Sequence, residues 1–307
     1  MCAHLGIYHF THYPCFVNIE PANFCTLHCP ECPVGNSDLR TVKRSPRTMD
    51  MSIYKDVLQQ FSPYIHTIQF FFQGEPLLHP RLPEMIRLAR QQGLYTIVST
   101  NAQQLNESMA EAIVQSGLNR IIVSLDALDE RSYQAYRKNG SLSKCLQGIR
   151  FLRQFKERQR SHLHIEIQCL RLRSNEREWS RFEKEYRLLG ADSLTFKTAQ
   201  LYDYKDGHSL MPTLERYSRY RMGGDGKYFL YRPWWKSSIC HRLFTGCVID
   251  TDGNMLPCCF DKNEQHKFGS IRELGVHSCW HSKSAESFRH SVLTDRTRVS
   301  ICGNCTE

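Results

Sequence analysis

The chain holds 14 cysteines in 307 residues, and two groups of them have spacings that could do chemistry. The first is Cys25-Thr-Leu-His-Cys29-Pro-Glu-Cys32, three thiols on one short loop. Thiolates so spaced can hold three irons of a [4Fe–4S] cube and leave one iron open to an external ligand. The same spacing admits a zinc ion with His28 as a further ligand, or plain structural thiols. The second group is the tail, where Cys240, Cys247, Cys258, Cys259, Cys279, Cys302 and Cys305 crowd together. Such density in a short stretch reads as a metal-stapled module, too small to be held by core burial alone. Cys2, Cys15 and Cys145 stand at no ligand spacing, and Cys145 falls on the apolar stripe of Leu142, Leu146, Ile149 and Leu152. The histidines are scattered without a metal pattern.

Six strand-like segments must position the first group: 15–20, 67–72, 95–99, 120–125, 164–170 and 193–197, all rich in β-branched or aromatic residues. Helical stripes lie between them: Leu82, Met85, Ile86 and Ala89; Leu105, Met109, Ala112 and Ile113; Trp179, Phe182, Tyr186 and Leu189. Asn106 reads as an N-cap and Gly117 as a helix stop. Strands each followed by a helix imply a parallel sheet with helices outside. Six are too few for a closed eight-fold barrel, so the expected fold is α/β, an open partial (β/α)6 TIM-like barrel with its ligand site at the C-terminal strand ends. On strand 164–170 the alternation aims Gln168 at the barrel and puts Cys169 under the helices as core. The boundaries expected are a barrel over 15–198, an irregular connector over 199–239 and a cysteine-rich module over 240–307.

Hydrophobic residues at 41% and charged residues at 23% are ordinary globular values, which excludes disordered, collagenous and low-complexity classes. No apolar run approaches the roughly 20 residues of a membrane span. The opening MCAHLGIYHFTHYPCF has no basic stretch before an apolar one, so no signal peptide is expected. A reducing cytoplasm is therefore the expected compartment, where metal or redox chemistry explains the cysteines better than disulfides. The net charge of +9 is compatible with an anionic ligand. Its densest basic stretch, Arg150 to Arg160, alternates with apolar residues like a helix with a solvated face, and nucleic acid is not an expected partner.

The cysteine loop has three companions in order along the chain. Gln73-Gly74-Glu75-Pro76 follows the second strand, Ser99-Thr100-Asn101-Ala102 the third, and Ser124-Leu125-Asp126-Ala127 ends the fourth. A CxxxCxxC loop followed by GGEP-type, TNG-type and SLD-type motifs resembles a radical SAM enzyme. The resemblance implies that the open iron binds S-adenosylmethionine (SAM), whose reductive cleavage gives a 5'-deoxyadenosyl radical that abstracts a substrate hydrogen. In it Gly74 permits close backbone approach, and Glu75 offers an acceptor for the SAM ammonium. Ser124 suits ribose hydroxyls or the methionine carboxylate, Asp126 follows in register, and Arg137 could hold the ligand carboxylate. Asp126 and Asn101 could equally cap following helices, and Arg137 could be a solvated charge. Two positions depart from the pattern: Glu31 stands where an aromatic residue usually precedes the third cysteine, and Gln73 where Gly is commoner.

The tail is similar to a SPASM domain in Cys240-x6-Cys247, Cys258-Cys259-Phe-Asp261, Phe268-Gly269-Ser-Ile and Cys302-Gly-Asn-Cys305. Asp252-Gly253-Asn254 reads as a hairpin turn that brings Cys258 back beside Cys240. The resemblance implies an auxiliary [4Fe–4S] cluster, expected on Cys240, Cys258, Cys302 and Cys305. Cys247 and Cys259 are reserve ligands or a substrate-side thiol, and Cys279 is core. A zinc ribbon with four cysteine ligands is the plain alternative. The expected substrate is a peptide or protein, or a sugar-like polar metabolite, with a flavodoxin or ferredoxin as electron donor. A barrel beginning near residue 15 disfavours the N-terminal recognition domain that many peptide maturases carry. The contrasting expectation is a non-catalytic zinc- or RNA-binding module.

Overall fold

The computed structural model describes residues 12–36, 44–232 and 240–306. Cys2 and the last seven connector residues, 233–239, lie outside the described residues. Six strands run parallel as β1 (Phe16–Ile19), β2 (Thr67–Phe70), β3 (Tyr95–Thr100), β4 (Arg120–Ser124), β5 (His164–Arg171) and β6 (Ser193–Thr198). Helices α1 (Met51–Phe61), α2 (Leu82–Gln91), α3 (Glu107–Gln115), α4 (Glu130–Tyr136), α5 (Leu142–Arg158) and α6 (Trp179–Glu185) connect them. The α2 stripe read from the sequence is its buried face, with Leu82, Met85, Ile86 and Ala89 fully enclosed, whereas α3 buries Ala110, Ile113 and Val114 and leaves Met109 and Ala112 half-buried. Asn106 caps α3 by accepting from the Met109 N–H at 2.9 Å, and Gly117 follows its end at φ +78°.

The connector holds more order than its composition suggested. Strands β7 (Tyr220–Met222) and β8 (Tyr228–Leu230) form a small antiparallel pair closed by the Gly223-Gly224-Asp225-Gly226 turn. Strands of three residues are too short to show a period, which is why the sequence reading had only an irregular connector here.

The tail shares the barrel's sheet. After the single turn of α7 (Arg242–Thr245), β9 (Gly246–Ile249) pairs parallel with β1, Phe16 opposite Gly246 and Ile19 opposite Ile249. β10 (Asn254–Leu256) returns antiparallel, β11 (Gly269–Ser270) adds an edge, and the order becomes β11-β10-β9-β1-β2-β3-β4-β5-β6. Helices α8 (Ile271–Trp280) and α9 (Lys283–Asp295) cover this extension. The expected hairpin is present, with Gly253 at φ +85° and the buried Asp250 carboxylate accepting from the N–H groups of Asp252 (2.8 Å) and Asn254 (2.9 Å). A module too small for its own core thus borrows one: Ile249, Met255, Ile271 and Trp280 belong to the same apolar cluster as Val17, Ile68 and Val98.

Phe16 leaves no room opposite it. A Cβ on Gly246 would lie 2.2 Å from the Phe16 ring. Gly246→Ala is therefore expected to cost about 1–3 kcal/mol, the usual range for overpacking. Gly246→Ala/Phe16→Leu should recover part of that loss in a denaturant-unfolding cycle. Additive losses would mean that the two residues do not meet.

Candidate active site

Gly74 decides how the cluster loop leaves β1. Its φ is +68°, and a Cβ there would sit 2.2 Å from the Ala22 carbonyl oxygen, so only glycine lets the loops after β1 and β2 touch. The next residue fastens the contact, with the Glu75 N–H donating to the Phe24 carbonyl at 2.9 Å. Beyond it the loop closes on itself. Cys32 N–H donates to Cys29 O at 3.1 Å, and Asn36 N–H to Cys32 O at 2.7 Å. His28 turns its Nδ1 to the Gly35 carbonyl at 3.2 Å, an internal brace for the loop.

Cys25, Cys29 and Cys32 line one cavity of about 300 Å³ together with Gly74, Glu75, Asn101, Ser124 and Arg137. Glu75 is buried, and its carboxylate accepts from the Thr100 hydroxyl (2.6 Å), the Asn101 N–H (2.8 Å) and the Leu77 N–H (3.1 Å). Burial raises its pKa, while those donors hold it down. The carboxylate therefore ties the end of β3 to the loop after β2. Ala102, where the TNG-type motif has glycine, adopts φ +60°, a left-handed conformation that is uncommon for alanine.

Arg137 is oriented by Asp126, whose carboxylate accepts from Arg137 Nε at 2.6 Å and from the Leu170 N–H at 2.7 Å. The guanidinium then donates from Nη1 to the Cys29 sulfur at 3.9 Å, while Asn101 Nδ2 donates to Cys25 Sγ at 3.3 Å. Burial pushes the Cys25 thiol up to about 12, so an empty site keeps its proton. Sulfurs that receive N–H donors in a protected cavity suit thiolate-ligated iron, whose potential depends on such contacts.

Of the residues expected at the site, Gly74, Glu75, Ser124, Arg137 and the three loop cysteines converge. Asp126 and Gln168 are not part of the lining. Asp126 stands behind Arg137, and Gln168 lies two residues earlier on β5 than Leu170, which takes the lining position. Cys169 is fully buried, as its alternation implied. Asn101 reaches a sulfur although its sequence position suited a helix cap equally well. Glu31, the departure before Cys32, accepts from the Tyr202 N–H at 2.8 Å and lies 3.3 Å from His208 Nε2, so it clamps the connector to the cluster loop. Lys262 also lines the cavity, and no spacing signal marks it in the sequence.

In the tail, Cys240, Cys258, Cys302 and Cys305 line one small enclosed cavity between Leu243, Phe288 and Val292. Arg232 secures the last pair by donating to the carbonyls of Cys302 (2.7 Å) and Cys305 (2.9 Å). Cys247 and Cys279 are buried in the apolar core, and Cys259 does not line this cavity. Among the described residues no three His, Cys, Asp or Glu side chains converge as for a single bound ion. Each cysteine set lines a cavity instead.

Solved structures share this fold across nearly the whole chain. They include BtrN in complex with AdoMet and 2-DOIA (TM-score 0.57, 17% identity, 97% of this chain and 95% of that one). Native anSMEcpe with bound AdoMet aligns at TM-score 0.67, with 17% identity over 91% of this chain and 84% of that one. Streptococcus suis SuiB bound to precursor peptide SuiA aligns at 0.68, with 13% identity over 99% and 73%. The family description "Radical SAM superfamily" matches residues 19–164, and "Iron-sulfur cluster-binding domain", the SPASM family, matches 240–306. The chain belongs to the radical SAM superfamily and carries a C-terminal SPASM domain. Membership implies a [4Fe–4S] cluster with SAM in the barrel and iron–sulfur binding in the tail.

Among curated relatives, PqqA peptide cyclase of Streptomyces rochei is 26% identical over 80% of this chain and 69% of its own length. The tungsten-containing aldehyde ferredoxin oxidoreductase cofactor-modifying protein of Pyrococcus furiosus is 21% identical over 95% and 87%. Fe-coproporphyrin III synthase of Methanosarcina barkeri is 27% identical over 41% of this chain, a match spanning only 30% of that protein. No helix among the described residues is long and apolar enough to cross a membrane.

If Asp126 acts by aiming Arg137, Asp126→Asn should weaken SAM binding by roughly tenfold or more while iron content stays at the wild-type value. Equal SAM affinity in a titration would show that the pair is structural only.

Proposed function

We propose that the chain binds SAM at the barrel mouth, cleaves it reductively and abstracts a hydrogen atom from a compact polar group, a peptide side chain or a sugar-like metabolite. The observation that carries this reading is the convergence of Cys25, Cys29 and Cys32 with Gly74, Glu75, Ser124 and Arg137 on one cavity. Cys25, Cys29 and Cys32 would hold the cluster of the barrel. When bound, that cluster and SAM supply one-electron reduction and a carbon radical strong enough to take hydrogen from a C–H bond.

The rest of the work falls to this chain's own residues. Ser124 at the end of β4 offers a hydroxyl to ribose or carboxylate oxygens. Arg137, aimed by Asp126, carries the positive charge for a carboxylate. Glu75 keeps the loops after β2 and β3 together and presents a carboxylate edge to an ammonium. Leu27 and Tyr136 are buried beside the loop cysteines and help exclude water from them. In the tail, Cys240, Cys258, Cys302 and Cys305 would hold an auxiliary cluster, with Cys247 and Cys259 outside the ligand set. The electron donor is a small redox protein of the flavodoxin or ferredoxin kind. Relatives named for a peptide and for a cofactor support a modifying enzyme. The zinc- or RNA-binding alternative is not favoured, because it leaves the SAM-type motifs without a use.

Anaerobic incubation of the reconstituted protein with SAM and dithionite should release 5'-deoxyadenosine. Cys25→Ala should release none. No 5'-deoxyadenosine from the iron-loaded wild type would refute the proposal.

A further inference from the structure

We propose that a second cavity, between the barrel cysteines and the tail cysteines, is a binding site for an anionic oxygen group of a compact polar substrate, with Lys262 as the cation that receives it. This rests on the function proposed above and names what that substrate must carry. The cavity measures about 280 Å³ and is lined by Gln200, Tyr202, Tyr204, Lys262, Asn263 and Asn304 among others. It shares Pro33 and Lys262 with the barrel cavity, and Phe260 and Ile301 with the tail cavity. A ligand there lies next to both cysteine sites. The volume is at the small end for ligand pockets, roughly 300–1,000 Å³, which suits one sugar-sized or side-chain-sized group.

Lys262 has the chemistry of a receiving cation. Its Nζ donates to the Tyr202 hydroxyl at 2.8 Å and to Gln200 Oε1 at 3.2 Å, both neutral partners. An ammonium has three N–H groups, and among the described residues the third has no partner and the charge no carboxylate. No acid lines this cavity among the described residues, and Glu31, which lines the barrel cavity, is engaged by the Tyr202 N–H and by His208. Neutral amides and phenols make up the other named polar lining, which can hydrogen-bond hydroxyls but not balance a charge.

The cation is also held in place before any ligand arrives. Its backbone carbonyl accepts from Gln73 Nε2, and the ammonium lies 5.1 Å from the centre of the Tyr202 ring. Tyr204 stacks on Tyr220 at 4.2 Å, and the Tyr220 hydroxyl donates to Asn304 Oδ1 at 2.8 Å. Asn304 Nδ2 in turn donates to the Leu201 carbonyl at 2.7 Å. A fixed cation beside fixed amides favours one orientation of an anionic ligand, because less ordering is left to the binding step. The Gln73 contact gives a use to the residue that departs from the usual glycine.

The test uses the anaerobically reconstituted full chain with SAM, titrated calorimetrically with sodium malonate and, separately, with inorganic phosphate. Wild type and Lys262→Arg should bind at least one of the two anions at a single site, and Lys262→Met should bind it more than tenfold more weakly. Malonate alone would assign a carboxylate, phosphate alone a phosphoryl group, and either result supports the site. Binding of neither anion by wild type, or equal binding by Lys262→Met, overturns it. Iron content and SAM affinity are read on the same samples. Their absence would defeat the proposed function itself, whereas normal values with silent anions would defeat only this inference.

Discussion

The arrangement depends on one pairing, β9 alongside β1 in parallel. Because the two strands run the same way, the chain leaves both from the same end of the sheet, the end where the barrel gathers its ligand site. The exits are bonded to each other: Glu20, just past β1, accepts from the Thr251 N–H at 3.1 Å, just past β9. Arg44 spans the junction, paired with Glu20 at 2.7 Å and with Glu264 at 2.6 Å. A charge pair this enclosed stabilises little in net terms, yet removing one partner would strand a buried charge, so it fixes how the tail sits on the barrel. The segment 258–264 consequently reaches back to the barrel mouth, where the Lys262 carbonyl meets Gln73.

Most groups that face the sulfurs are themselves held by a second set of contacts. Asn101 is placed by the Glu75 carboxylate, Arg137 by Asp126, and Asp126 by the Leu170 N–H. Asn175 holds the stretch next to Asp126, donating to the Leu170 carbonyl at 2.7 Å and accepting from Trp179 Nε1 at 2.7 Å. Each link is a hydrogen bond between buried or half-buried groups, where a missing partner costs more than the bond gains. The motifs therefore act through one another. Glu75 is as much a fastener of β3 as an acceptor for a ligand.

The sequence carried the frame well, for physical reasons. β-branched runs, apolar stripes and an Asn N-cap are local signals, and the six barrel strands begin and end within two residues of where those signals put them. Cysteine spacing singled out the barrel set, since ligand geometry constrains separation along the chain, and the SPASM resemblance chose the tail set; each lines a cavity. What could not be read were roles set by residues far away in sequence. Glu31 bonds Tyr202, Gln73 bonds Lys262, and Asp126 turns behind Arg137 instead of facing the cavity. Gln168 was misplaced because strand alternation gives a face but not a height along the strand. The tail's union with the barrel sheet left only one trace, a glycine opposite Phe16.

The most direct test of two cysteine sites built for iron is the metal and sulfide content per chain after anaerobic reconstitution. Two filled sites should give about eight irons and eight sulfides. Cys258→Ala should hold about half that, with the barrel site alone filled. Zinc with no iron in the wild type, or an unchanged iron count in Cys258→Ala, would contradict two iron sites.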